Sequence, residues 1–188
     1  EDNYGWSRPD GWESNPEVAI IAIAGVIMPG PSQSPGLLGG GYSAGSKTIV
    51  GQINEAAEDD AVKAIVLRVD SPGGSAFASD QIWRAVTQAK LEKPIIVSMG
   101  GVAASGGYYV AAAADAIFAE ETTITGSIGV YSGKFNAHSL LQYLKINVES
   151  EDRGAHASLY SMFDGWNDSQ RAKMEEQVEL TYQQFKTI

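Results

Sequence analysis

The stretch from residue 95 to residue 114 constrains what this chain can fold into more than any other part of the sequence. It begins with an apolar, β-branched run at 95–97 that follows Pro94 and precedes a pair of glycines, which predicts a buried strand. It ends in the alanine run 111–114, and alanine is the strongest helix former. Between the predicted strand and the predicted helix, small residues surround one reactive hydroxyl, that of Ser105.

A serine at a strand-to-helix junction has two common uses. The positive end of the helix dipole and the free N–H groups of the first turn lie beside its hydroxyl, where they can stabilise an oxyanion. Gly106 and Gly107 carry no side chain that would block a substrate carbonyl. The alternative is that Ser105 only caps the helix, which is frequent at such positions. The remainder of the sequence favours the nucleophile.

Composition excludes several classes of function. Hydrophobic residues make up 44% of the 188 residues, as in a globular domain, and the net charge of −10 argues against nucleic acid or an anionic membrane surface as the main partner. The chain has no cysteine, so a disulfide, a cysteine nucleophile and a zinc–thiolate site are excluded. We expect neither a cofactor nor a metal. The sequence has no apolar run of membrane-spanning length, and its start at Glu1 without a signal peptide suggests a domain taken from a longer protein.

Strands and helices are predicted to alternate, which indicates an α/β fold with a mostly parallel sheet, right-handed crossovers and flanking helices. The apolar run at 18–23 is uniform enough to predict a strand covered on both faces. Further strands are predicted at 62–69, 95–99, 116–119 and 146–150, helices at 49–60, 78–91, 137–144 and from 167 onward, and a long loop at 29–46. We predict that residues 1–16 form an arm or linker and residues 17–188 one domain.

The last helix carries an apolar stripe formed by Met174, Val178, Tyr182 and Phe185. Such a stripe is typical of a core or of a contact between subunits. We expect a monomer to expose part of it, and we therefore predict self-association.

A second glycine turn follows the strand at 62–69. It comprises Asp70 and the sequence Ser-Pro-Gly-Gly-Ser at 71–75. Because the carboxyl ends of parallel strands meet at one sheet edge, Gly74 can offer an N–H that faces the N–H of Gly106. Two such donors beside a hydroxyl would form an oxyanion hole. Asp70 is interpreted as a turn residue and not as a catalytic acid.

Three ordered motifs closely resemble those of the signal peptide peptidase family of serine proteases, which has the Clp/crotonase fold. They are S-P-G-G-S at 71–75, M-G-G-V-A-A-S-G-G-Y-Y at 99–109 and T-G-S-I-G at 125–129, and the resemblance covers about residues 18–187. It implies a Clp/crotonase-like fold with repeated ββα and βαβ units. It also implies the site residues: Ser105 as nucleophile, Gly74 and Gly106 as the oxyanion hole, and Ser127 as the residue that orients the general base.

The general base of this family is a lysine kept neutral by burial, and here the sequence departs from the pattern. In single-domain members the lysine lies in a segment similar to residues 153–158, at the position of Ala157. Tandem members consist of two homologous halves, of which the amino-terminal half carries the lysine and the carboxyl-terminal half carries the serine. This chain resembles such a carboxyl-terminal half. The base therefore comes from an absent amino-terminal half, or it has been replaced at Ala157. Lys134, His138 and His156 are weaker local candidates, because Lys134 lies in a predicted exposed turn and neither histidine has an obvious orienting carboxylate.

The resemblance implies a serine endopeptidase that degrades short hydrophobic peptides, such as cleaved signal peptides. The peptide would add as a strand beside 75–76 and 129–130. The domain would act at the extracytoplasmic (periplasmic) face of the bacterial cytoplasmic membrane, without an anchor of its own. A catalytically silent scaffold that assembles through the last helix is the alternative. Acyl-CoA chemistry on the same fold would need carboxylates beside the oxyanion hole, where this sequence has Ser105.

Overall fold

The computed structural model describes residues 16–34 and 41–188. The arm predicted at 1–16 therefore lies, except for its last residue, outside the described residues. The chain divides into two compact units, residues 1–127 and residues 128–188. The single domain predicted over 17–188 stays a prediction, and each unit is described by itself.

The first unit contains the predicted alternation of strands and helices. Its elements are β1 Glu17–Ala24, β2 Val26–Met28, β3 Ser43–Gly45, α1 Ser46–Glu58, β4 Val62–Ser71, α2 Ala76–Ala89, β5 Ile95–Ala104, α3 Gly106–Ala111, β6 Ala116–Phe118 and β7 Ile124–Gly126. The second unit contains α4 His138–Tyr143 and α5 Asp168–Lys186. Strand β3 lies inside the predicted loop at 29–46, and β5 continues through the glycine pair that was expected to end it.

The main sheet is parallel, with the strand order β1-β4-β5-β6, and β7 pairs with the far end of β5. Side chains of one sheet face, such as Leu67 and Val97, pack against α1, α2 and α3 in one hydrophobic core and are fully buried. Burying a side chain of this size stabilises the fold by about 1.5–3 kcal/mol. The predicted α/β architecture with flanking helices is therefore present, and its core lies between this face and the helices.

The other face of the sheet corrects one prediction. The apolar run at 18–23 was expected to be covered on both faces, but Val18 is 56% and Ile20 73% exposed. The reason is that, among the described residues of the first unit, β1 is an edge strand and the helices pack on the face where Ile21 and Ile23 are buried. Apolar sequence alone does not reveal whether a second layer covers a strand.

The second unit corrects one further prediction. Residues 146–150 form no strand. Helix α5 begins at the capping box of Asn167 and Gln170 and presents the predicted stripe, but Met174 and Phe185 are buried. The stripe is therefore buried at Met174 and Phe185 and half-buried at Val178 and Tyr182, so only part of it is exposed.

Candidate active site

Ser105 occupies a sharp turn between β5 and α3. Its backbone has φ 50° and ψ −118°, an unusual conformation for a residue with a side chain. Residues held in such strained conformations cluster at functional sites, where the surrounding structure must hold them in place. The turn at Ser105 is therefore both the predicted strand-to-helix junction and a strained point of the backbone.

The hydroxyl of Ser105 does not cap the helix that follows it. Ser105 is the N-cap residue of α3, yet its side chain makes no capping hydrogen bond, although its carbonyl accepts the N–H of Tyr109 at 2.8 Å. The residue is half-buried. The capping alternative is thus wrong for the side chain, and the hydroxyl remains available for chemistry.

The T-G-S-I-G motif holds the turn from the other side. The Ser105 N–H donates to the carbonyl of Gly126 at 2.8 Å, and Thr125 Oγ1 donates to the carbonyl of Ala103 at 2.8 Å. Ser127 follows directly, is exposed, and also has a positive φ of 51°. The two motifs predicted from sequence therefore meet, and Ser127 lies one residue beyond the partner of Ser105.

The two glycine turns approach each other closely. A Cβ atom on Gly73 would lie 2.6 Å from the Gly106 nitrogen and 2.8 Å from the Ser105 Cβ, and one on Gly106 would lie 3.3 Å from the Gly74 nitrogen. Among the described residues, neither the Gly74 N–H nor the Gly106 N–H has a hydrogen-bond acceptor. The structure therefore brings together Ser105, Gly74 and Gly106, with both backbone donors unused.

Strand β2 supports the first glycine turn. The N–H of Ile27 donates to the Gly73 carbonyl at 2.9 Å, and the N–H of Ser75 donates to the Ile27 carbonyl at 2.8 Å. This corrects the expected substrate strand beside 75–76, because Ile27 already uses the Ser75 N–H and Ala76 starts α2. Ile27 carries no chemical motif, so the sequence had no signal for this contact.

Close packing, and not an opening for substrate, explains the glycines that follow Ser105. A Cβ on Gly106 would overlap the hydroxyl of Ser79, and a Cβ on Gly107 would lie 2.8 Å from the Ser71 carbonyl oxygen. Ser71 and Ser79 are fully buried on β4 and α2. Their contacts with the turn after Ser105 were not predicted, because contacts between segments distant in sequence leave no local pattern.

The candidate lysine positions lie in the second unit. Ala157 is exposed, in a turn where its N–H donates to Gly154 at 3.2 Å. Lys134 Nζ lies 3.5 Å from the Ser158 carbonyl oxygen and 5.7 Å from the centre of the Trp166 ring. Both contacts lie within the second unit, so the Lys134 amine already has partners there.

The two histidines differ from expectation in one respect. His138 was expected to have no orienting carboxylate, but its Nδ1 lies 3.7 Å from Asp164 Oδ1, with both side chains largely exposed. The buried Nδ1 of His156 has no hydrogen-bond partner in the described part of the chain. Both residues belong to the second unit.

The chain matches two protein-family models and several curated proteins. The model of peptidase family S49 matches residues 87–188, and the Clp protease model matches residues 40–124. The chloroplastic serine protease SPPA of Arabidopsis thaliana is 38% identical over 173 residues, which are 90% of this chain and 25% of that protein. Protease 4 of Salmonella typhi is 35% identical over 186 residues, 98% of this chain and 29% of that protein. A protein of Enterococcus faecium described as a signal peptide peptidase, SppA, is 36% identical over 138 residues, 73% of this chain and 40% of that protein.

The chain thus spans between a quarter and two fifths of the length of these relatives. Within the described ranges, none of the helices has the length and apolar character that crossing a membrane requires. The family matches confirm the predicted Clp-like α/β fold and the resemblance stated from the three motifs. The chain belongs to peptidase family S49.

Proposed function

We propose that this chain is the serine-bearing domain of an endopeptidase, with Ser105 as the nucleophile. One observation carries the proposal: a strained turn presents a hydroxyl that makes no capping bond, beside two backbone N–H groups that have no acceptor among residues 16–34 and 41–188. A hydroxyl with a pair of free donors is the arrangement that acyl transfer requires.

In the proposed reaction, Ser105 Oγ attacks the carbonyl carbon of the scissile peptide bond, and its proton passes to the neutral amine of a lysine. The N–H groups of Gly74 and Gly106 donate to the oxyanion of the tetrahedral intermediate, and Ser127 orients the lysine. Collapse of the intermediate breaks the C–N bond, and the leaving amine takes the proton. Water then hydrolyses the acyl–Ser105 ester by the same proton transfers.

The base has to come from elsewhere, because the segment that resembles the lysine-bearing one has Ala157. We propose that a preceding amino-terminal half supplies the lysine, or that the lysine belongs at position 157. The covered share of the relatives, 25% and 29% for two of them, leaves room for such a half in proteins of that length.

The proposed substrates are short hydrophobic peptides in extended conformation, such as cleaved signal peptides. The name of the Enterococcus faecium relative supports this class. The exposed backbone at Gly74 supports binding through main-chain hydrogen bonds, and 129–130 stays the predicted second pairing segment. The proposed place of action is the extracytoplasmic face of the bacterial cytoplasmic membrane.

A fluorophosphonate probe tests the nucleophile. In a chain that has its lysine, through Ala157→Lys or an added amino-terminal half, the probe should phosphonylate Ser105 Oγ with loss of fluoride. Intact-mass and peptide mass spectrometry should locate the adduct, Ser105→Ala should remove it, and Ser161→Ala is the matched control. An adduct on another serine, or none in either lysine-bearing form, would refute the proposal.

The second candidate is a silent scaffold of the same fold, and the observation that favours it is Ala157 in place of a lysine. The two proposals differ in the fluorophosphonate result, because a scaffold has no reason to activate Ser105. The uncommitted hydroxyl and the two free donors favour the peptidase.

We also expect the chain to self-associate. Beside the partly exposed stripe of α5, the support is the open face of the main sheet, where Val18, Ile20 and Phe118 are exposed, since an exposed apolar patch of this kind often marks an interface. Ile20→Lys should shift the sedimentation coefficient toward that of a monomer, whereas Leu180→Lys, at an exposed apolar position of α5, should not. A monomeric wild-type chain at high protein concentration would contradict the prediction.

A further inference from the structure

Strand β5 contains an irregularity immediately before the turn that carries Ser105. Its register with β4 pairs Val69 with Met99 and then Ser71 with Ala103. Over this interval β5 advances by four residues and β4 by two. Residues 100–102 lie opposite the single residue Asp70, two more than a regular pairing, and form a bulge. Bulges commonly redirect a strand beside an active site. Beyond the bulge only Ala104 separates the restored pairing from Ser105.

Side chains of neighbouring segments hold the backbone of this bulge. Arg68 Nη1 donates to the Met99 carbonyl at 2.9 Å, and Thr123 Oγ1 donates to the Gly100 carbonyl at 2.9 Å. Asp70 Oδ1 accepts the Val102 N–H at 3.0 Å. Backbone groups that left the regular ladder thus regain partners, as such groups generally do.

Asp70 fits the bulge sterically as well as through its hydrogen bond. A Cβ atom on Gly100 would lie 2.8 Å from both Cβ and Cγ of Asp70, a distance that real Cβ contacts do not reach. The glycine therefore lets β5 close around the Asp70 side chain, while the carboxylate holds the far side of the bulge at Val102. Shape and hydrogen bonding together select this carboxylate.

We propose that Asp70 is a positioning residue for Ser105: it sets the path of the β5 bulge and thereby the orientation of the strained turn that presents the hydroxyl. This inference rests on the proposed function in one respect, namely that the turn presents the Ser105 hydroxyl as a nucleophile. Asp70 acts through the backbone of Val102, whereas the neighbouring Val69 and Ser71 point into the covered face and are fully buried. The interpretation of Asp70 as a mere turn residue is thereby extended.

Three single variants test the proposal in the full 188-residue chain. Asp70→Ala removes the acceptor, and Asp70→Asn keeps an oxygen that accepts the Val102 N–H. Asp59→Ala is the matched control, because Asp59 Oδ1 accepts the Ala61 N–H at 2.8 Å at the opposite end of β4. An ester linkage at Val102, which replaces its N–H by oxygen, is a second way to remove the bond if Asp70→Ala does not fold.

Two measurements are made on each variant, under conditions in which the same fraction of every protein is folded. Amide hydrogen exchange at Val102 and Ser105 reports the bulge and the turn, and the rate of fluorophosphonate labelling in the Ala157→Lys background reports the hydroxyl. Asp70→Ala should accelerate exchange at both amides and slow labelling by about 10–100-fold, since misplacement by about 1 Å costs about that much. Asp70→Asn should restore both, and Asp59→Ala should change neither.

Three results would overturn the proposal: labelling at the parent rate in Asp70→Ala, labelling in Asp70→Asn as slow as in Asp70→Ala, or equal slowing by Asp59→Ala. If no chain with Asp70 intact is labelled, the proposed function fails, and hydrogen exchange still decides the positioning role. Unchanged exchange at Ser105 in Asp70→Ala would then refute it.

Discussion

Lysine at position 157 is expected to turn a chain with little or no peptidase activity into one that hydrolyses short hydrophobic peptides. A positioned general base accelerates such a reaction by about 10²–10⁴-fold. The physical reason is that the Ser105 hydroxyl is a weak nucleophile until a neighbouring base takes its proton. Initial rates with a fluorogenic hydrophobic peptide, for the parent chain and for Ala157→Lys, measure the gain.

Two variants in the Ala157→Lys background identify the groups responsible. Ser105→Ala should abolish the gained activity, and Lys134→Ala should leave it, because the Lys134 amine contacts the Ser158 carbonyl and the Trp166 ring within the second unit. The rate should rise with pH, since only the neutral amine accepts a proton. Addition of the amino-terminal half is the parallel experiment, and activity there alone would place the native lysine in that half.

Robust hydrolysis by the parent chain, lost on Lys134→Ala, would contradict this account. It would show that the base is local and that the split-site interpretation is wrong. Failure of both Ala157→Lys and the added half to generate activity would favour the scaffold.

Removal of the Gly74 N–H is the change with the second largest expected effect. Loss of one oxyanion-hole donor lowers kcat by about 10²–10³-fold, and Gly74→Pro removes the donor. Gly74→Pro alone does not isolate the effect of the N–H, because the structure leaves no room for a side chain at this position. Gly74 has φ 154°, and a Cβ there would overlap the Ile27 carbonyl oxygen, so Gly74→Ala should also be severe although it keeps the N–H. Both variants are expected to disturb the bridge between Gly74 and β2.

An ester linkage in place of the Gly74 amide separates the two effects, because it removes the N–H and adds no atom that could clash. In an active, lysine-bearing chain this change should lower kcat by about 10²–10³-fold. The matched control is the same replacement at Ser75, whose N–H donates to Ile27 and not to substrate. An unchanged kcat for the Gly74 ester would remove Gly74 from the site and leave the hole without its second donor.

The constellation around Ser105 was predictable because each part of it leaves a local pattern. Apolar runs predict the strands, the glycines predict the turns, and parallel strands bring their carboxyl ends to one edge. Ser105, Gly74 and Gly106 were therefore named from sequence, and the structure brings them together with unused donors. Ser127 was named only from the resemblance of the T-G-S-I-G motif to the peptidase family, and its role in orienting the base stays a prediction.

The parts that failed depend on contacts between segments distant in the chain. Ile20 was expected to be covered, but its side chain is 73% exposed, because the described helices of the first unit pack on the opposite face of the sheet. Residues 146–150 have the apolar character of a strand and form none. Asp70 and Val102 are separated by 32 positions, and no periodicity links a carboxylate to an amide that far away.

The sequence by itself determined the strand–turn–helix units and the positions of the hydroxyl and the glycines within them, since these follow from local propensity and hydrophobic period. Only the tertiary structure decided that Ile27 holds the Gly74 turn, that Ser71 and Ser79 require the glycines after Ser105, and that Asp70 braces the bulge. The physical reason is that close packing and hydrogen bonding between segments depend on three-dimensional distance. A local pattern fixes where a residue lies along its own strand or helix, and its neighbours are set by the assembled sheet.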